Sequence, residues 1–179
     1  MLQARTLAEA RLYLDLMAAD VGEWALDVQL VERAESWSVI GDLGFQRLEV
    51  SVPFGRAAAH RFGAGRSELV DAAQWWLVAT TSAERIRHGD LADDGRARPD
   101  RDVVAETWDL AVEAVHQSLE FLPEGADRLP PSAFWSETGE RLRQEHPEAF
   151  TRGRLTGDQA RYLAARNKFS AGQPSCDAR

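Results

Sequence analysis

Residues 18–52 decide how the chain is read. They hold two matching turn signals, Asp20-Val21-Gly22 and Asp42-Leu43-Gly44. Asp favours such turns by bonding its own backbone, and Gly adopts positive φ without a Cβ clash. Each turn leads into an apolar run, residues 24–31 and 45–52. Leu26, Val28 and Leu30 alternate with Asp27 and Gln29. After Glu35-Ser36 the alternation resumes at Trp37, Val39 and Gly41, and Leu48, Val50 and Val52 then alternate with Glu49 and Ser51 until Pro53. Period-two alternation closed by Pro predicts strands with one buried face, here a three-stranded antiparallel meander.

The same stretch carries a second pattern. Ala18 and Val21, then Ile40 and Leu43, stand at the spacing of two C-x-x-C pairs with eighteen residues between them, and Gly22 and Gly44 follow each pair. A zinc ribbon has that spacing, but aliphatic side chains cannot bind zinc. Two readings stay open: a ribbon whose metal is replaced by a plug of these four side chains, or a plain meander with two Asp-x-Gly turns.

Around this module the periodicity turns helical. Thr6-Leu7-Ala8-Glu9 is a capping-box pattern before Leu7, Ala10 and Leu14, predicting a short helix to Met17, with a strand through Leu12, Leu14 and Leu16 as the rival. Residues 55–65 read as loop. Asp71-Ala72-Ala73-Gln74 is a second capping box, before Trp75, Val78, Ala79, Ser82 and Ile86 at helical spacing. Residues 88–100 read as a linker. Val104, Trp108, Ala111, Val115, Leu119 and Leu122 predict the longest helix over 102–122, stopped by Pro123 and Gly125. Further helices are expected over 132–145, with Phe134, Trp135 and Leu142, and from the box Thr156-Gly157-Asp158-Gln159 through Tyr162 and Leu163. A polar tail, 169–179, is expected to be disordered.

Composition bounds the function. The 179 residues carry a net charge of -8, 44% hydrophobic residues and six Trp, enough for a packed core. Acidity opposes sequence-blind nucleic-acid binding, which needs Lys and Arg against phosphates. Between residues 141 and 168 seven basic residues face three acidic ones, so a basic C-terminal end meets an acidic body. That asymmetry suits a protein partner. The single cysteine, Cys176, rules out an intramolecular disulfide, and neither a secretory leader nor a spanning apolar run is read. The expected setting is cytoplasmic.

The segments 6–16, 67–76 (Ser67-Glu68-Leu69-Val70-Asp71-Ala72-Ala73-Gln74-Trp75-Trp76) and 121–135 resemble parts of a group of uncharacterised actinobacterial proteins with Cys-pair turns after the first helix. The resemblance covers most of the chain. It implies a zinc-ribbon-like N-terminal turn module and no assigned activity. This sequence departs from the group at the ligands, so what it implies here is a ribbon-derived module without metal.

Four groups are candidate sites. His60, Arg61 and Arg66 flank a Gly63-Ala64-Gly65 turn, where an imidazole can act as acid or base and guanidiniums can clamp a phosphate or carboxylate. It lacks the Lys and spacing of a P-loop, and a plain connection explains it as well. Asp109, Glu113, His116 and Glu120 recur at helical spacing, and Glu113-x-x-His116 has the form of one di-iron half-site. No second such motif accompanies it, and the face lies opposite the Trp108 stripe, so a solvated face is the expectation. His88, Asp90, Asp93 and Asp94 can offer oxygen and nitrogen ligands or simply make a polar linker. Trp75 and Trp76 are expected in the core, with ligand stacking by Trp76 as the alternative.

Together these predict an α+β fold: one domain over residues 1–168, with a helix and β module in 1–55 and about four helices in 67–168. The function expected is a non-catalytic protein-interaction module (adaptor, immunity-type or accessory), without metal or cofactor, membrane or nucleic acid. The alternative is a small enzyme or anion-binding protein using the 60–66 loop.

Overall fold

The alternating stretch forms β2 (Asp27–Glu32), β3 (Ser36–Asp42) and β4 (Arg47–Pro53), which pair antiparallel in chain order. The computed structural model describes residues 2–22, 26–44, 46–57, 61–89 and 100–171. Among the described residues the sheet has four strands rather than three, and it is mixed. β1 (Leu2–Gln3) runs parallel to β4, with Leu2 opposite Val50, giving the order β1-β4-β3-β2. Two residues have no periodicity to detect, and only the long-range pairing makes them a strand.

Among the described residues six helices accompany the sheet: α1 (Leu7–Asp20), α2 (Phe54–Ala57), α3 (Ala72–His88), α4 (Arg101–Leu119), α5 (Glu137–Glu145) and α6 (Arg152–Ala171). The class is α+β. The expected helix at the N-terminus and four at the C-terminal side become six because Phe54–Ala57, read as the start of a loop, closes one helical turn. The 132–145 segment divides into a 3-10 turn at Pro131–Ala133 and α5, which Ser136 caps. α6 starts before the box at Thr156. The Thr156 hydroxyl donates to the Arg152 carbonyl at 2.8 Å, as a mid-helix threonine does, and caps nothing. The helix includes residues 169–171, and residues 172–179 lie outside the described residues.

The two turns are not copies of one another. The second joins β3 to β4: Leu43 N–H donates to Gln46 O at 2.9 Å and Gly44 N–H to Asp42 Oδ1 at 2.9 Å, with Gly44 at φ 79°. The first ends α1, which runs beyond Met17 to Asp20. There Val21 and Gly22 N–H groups donate to Ala18 and Ala19 carbonyls, and Gly22 takes φ 76°. Ala18, Ile40 and Leu43 are buried, but Val21 is 44% exposed. The expected four-residue plug is therefore corrected. A helix terminus carries Val21 outward, away from any ribbon geometry.

α1 packs on β3 and β4. Ala10 and Leu14 are wholly buried, which excludes the strand alternative for that segment. Leu14 lies so close to Gly41 that a Cβ there would meet its Cδ2 at 3.2 Å, so a larger residue at this crossing requires Leu14 to shift by a few tenths of an ångström. The core continues from Leu14, Val39, Val50 and Val52 into Trp75, Val78 and Ala79 of α3 and Val104, Trp108, Ala111 and Val115 of α4. α3 and α6 both pack on α4. The sheet departs from expectation at Leu30, which is 54% exposed: β2 is an edge strand, and alternation alone does not tell an edge from a centre.

Candidate functional site

One carboxylate organises the junction of α3 and α5. Asp71 is fully buried. Its Oδ1 accepts from Ala73 and Gln74 N–H at 3.0 and 2.9 Å, and Gln74 Oε1 accepts from Asp71 N–H, completing the predicted capping box. Its Oδ2 reaches across to the 131–136 segment. It accepts from Trp135 N–H (3.2 Å), Ser136 N–H (2.9 Å) and the Ser136 hydroxyl (2.6 Å). Ser136 Oγ in turn accepts from Gly139 N–H at 2.9 Å and so caps α5. Two helix N-termini thus share one acid, as their unpaired N–H groups and dipoles favour. A Cβ on Gly139 would sit 2.6 Å from Asp71 Cγ and closer still to Oδ2, so only glycine permits this approach.

This pin holds the backbone of Trp135 while its indole stays 46% exposed, tilted against Phe121 with centroids 5.7 Å apart. Trp135, Phe121, Ser132, Arg66 and Glu68 border a shallow depression of about 450 Å³. The sequence predicts one helix over 132–145 that carries Trp135. The available signal for something else was Pro130-Pro131, which bends the chain before α5.

The anion-loop residues are placed apart. His60 lies outside the described residues. Arg61 Nη1 donates to Glu106 O at 3.3 Å, and Arg66 Nε donates to Glu120 O at 2.9 Å. Fourteen residues of helix separate those carbonyls, about 21 Å at the usual rise. The two guanidiniums do not converge on one ligand position. The loop backbone is itself held from α1 and α4. Thr6 Oγ1 donates to Arg61 O (2.7 Å), Gln117 Nε2 to Gly63 O (3.2 Å), and the Arg5 guanidinium to Gly65 O. Arg5 also pairs with Glu9 (2.6 Å) and bonds Gln117 Oε1 (2.8 Å). Glu9 accepts from Arg5 N–H instead of Thr6 N–H, so the first predicted capping box forms only by its Thr6 half.

Trp75 is buried with its ring edge against Phe62. Trp76 is half-buried between Phe150 (5.4 Å) and His146 (5.5 Å), and it lines a cleft of about 480 Å³ with Arg154, Arg161 and Tyr162. Among the described residues neither indole N–H has a partner. Buried Asp158 pairs with Arg154 (3.0 Å) and Arg161 (2.7 Å), and its hydrogen bond raises the Arg154 pKa. The cleft is therefore partly neutralised from within. On α4, Asp109 pairs with Arg166 at 2.8 Å and exposed His116 with Glu120 at 3.4 Å. No group of three His, Cys, Asp or Glu residues is placed to hold a metal ion among the described residues. His88 ends α3, whereas Asp90, Asp93, Asp94 and Cys176 lie outside the described residues.

No family model matches the chain, and no curated protein or solved structure matches it. Among the described residues no helix is long and apolar enough to cross a membrane.

Proposed function

We infer that the chain is a non-catalytic protein-interaction module of the cytoplasm, an adaptor, immunity-type or accessory protein, which engages a protein partner through Trp135. The observation that carries this reading is a 46% exposed indole on a backbone pinned by wholly buried Asp71. Covering that exposed part removes roughly 115 Å² from water, worth about 3 kcal/mol. A fixed backbone spares the ordering cost of binding, and Trp beside Arg is the composition of interface hot spots. The acidic balance of the chain supports a protein rather than a nucleic-acid partner.

The test captures partners from source-cell extract on the wild-type chain and on Trp135→Ala, then measures the purified complex by size exclusion and titration. The expected result is a partner bound at least about 100-fold more weakly by the variant, with unchanged circular dichroism. Equal binding by both, or no stable partner, refutes the reading. A second reading rests on Arg66, which borders the same depression: the chain binds a small anion there, and Arg66→Ala removes a ligand-induced rise in melting temperature. Under both readings the β module serves as a scaffold, with Ala18 of α1 and Ile40 and Leu43 at the end of β3 buried. Stoichiometric zinc in elemental analysis overturns the reading of this module as metal-free.

A further inference from the structure

We propose that the cavity between the 128–134 segment and the C-terminal end of α5 binds a small carboxylate with an apolar body, an aryl or branched-alkyl acid. It encloses about 320 Å³, at the lower end of small-molecule sites. Its apolar wall is Leu129, Phe134 and Phe150, all buried, with the two Phe rings edge to face at 5.0 Å. Its polar wall is Arg128, Arg143 and Gln144. Among the described residues no Asp or Glu lines it, although the chain carries a net charge of -8.

Arg143 supplies the decisive observation. Its guanidinium lies over the Phe134 ring at 5.6 Å, and its Nε–H is buried with no acceptor among the described residues. That Nε has no accessible surface and so does not face the cavity, whereas the terminal Nη groups, which make no hydrogen bond among the described residues, are not buried in this way. Arg128 is held on the same cavity by the bond from its Nη1 to Pro147 O at 3.1 Å. A carboxylate accepts from the two Nη groups of a guanidinium in a single plane, end-on. The aromatic wall then takes the apolar body. A bare inorganic anion has nothing to place there, and a neutral amide lacks the charge.

Calorimetric titration and thermal denaturation of the full chain with benzoate, phenylacetate and 4-methylpentanoate test the assignment, with benzamide and inorganic phosphate as controls. At least one acid binds, and benzamide and phosphate bind at least about tenfold more weakly. Arg143→Gln and Arg143→Lys each weaken the acid by about tenfold or more, the lysine because it keeps the charge but loses the fork. Arg128→Gln gives the same direction and stands in where the Arg143 variants do not fold. The proposal is overturned if no acid raises the melting temperature at about 10 mM, if either control matches the acids, or if the variants bind unchanged. It does not depend on a partner at Trp135.

Discussion

Gly139→Ala sets two effects of opposite sign against each other. Position 139 is in the first turn of α5, where alanine is ordinarily better than glycine by about 0.8–1.0 kcal/mol. Here the new Cβ would sit 2.6 Å from Asp71 Cγ. The carboxylate is fully buried among two helix starts, so it cannot swing into solvent. It must retreat from the 135–139 segment or push that segment away. Either movement stretches the three bonds that Oδ2 accepts from Trp135 N–H, Ser136 N–H and Ser136 Oγ. Bonds to a charged group are worth about 1.5–3 kcal/mol each. Losing two of them and gaining the helix propensity leaves a net destabilisation of roughly 2–5 kcal/mol. Urea denaturation followed by tryptophan fluorescence should show a lower midpoint at unchanged slope. The cycle with Asp71→Ala isolates the cause: the double variant should be no less stable than Asp71→Ala alone, because the clashing group is gone. A Gly139→Ala protein as stable as wild type, or strictly additive variants, refutes the reasoning.

Three further outcomes follow from single residues. Arg5→Met leaves Glu9 buried without its cation and the Gly65 and Gln117 acceptors unpaired, costing about 3–5 kcal/mol by chemical denaturation, with faster hydrogen exchange in the 61–65 loop. Leu30→Lys on the open edge of β2 should change stability by no more than about 0.5 kcal/mol, whereas a loss above 2 kcal/mol would mean that this edge is covered. The Ser38 hydroxyl and the Arg33 guanidinium hold the Glu49 carboxyl below its ordinary value of 4.5. A lowered folded pKa means that this contribution is present above the unfolded value and is lost as pH falls through the folded one. Glu49→Gln should therefore flatten the decline of the denaturation midpoint below about pH 4.5, and a slope identical to wild type counts against the contact.

The parts legible from residues alone are those whose signal is local. Period-two alternation places β2, β3 and β4, because side chains of a strand point to opposite faces by geometry. The 3.6 period places α3 and α4, and Asp71-x-x-Gln74 marks the start of α3 because a capping box needs only four consecutive residues. Gly22 and Gly44 are where left-handed backbone is needed, whatever follows them. The candidate site was much less legible. Trp135 is apolar and falls within a predicted helix beside Phe134; its exposed position depends on Asp71, sixty-four residues away, reaching its backbone.

Tertiary structure alone decided the rest. It added β1, whose two residues become a strand by pairing with Val50 and Ser51. It put Val21 outside and Leu30 at an edge, since burial depends on which element lies opposite. It spent Arg61 and Arg66 on α4 carbonyls about 21 Å apart, which no spacing in the loop foretells. It also set Arg128 and Arg143 on one cavity with an aromatic wall and, among the described residues, no acid in its lining. A one-dimensional pattern reports the conformation each residue prefers, but distance in space between residues far apart in sequence is settled only when the whole core has closed.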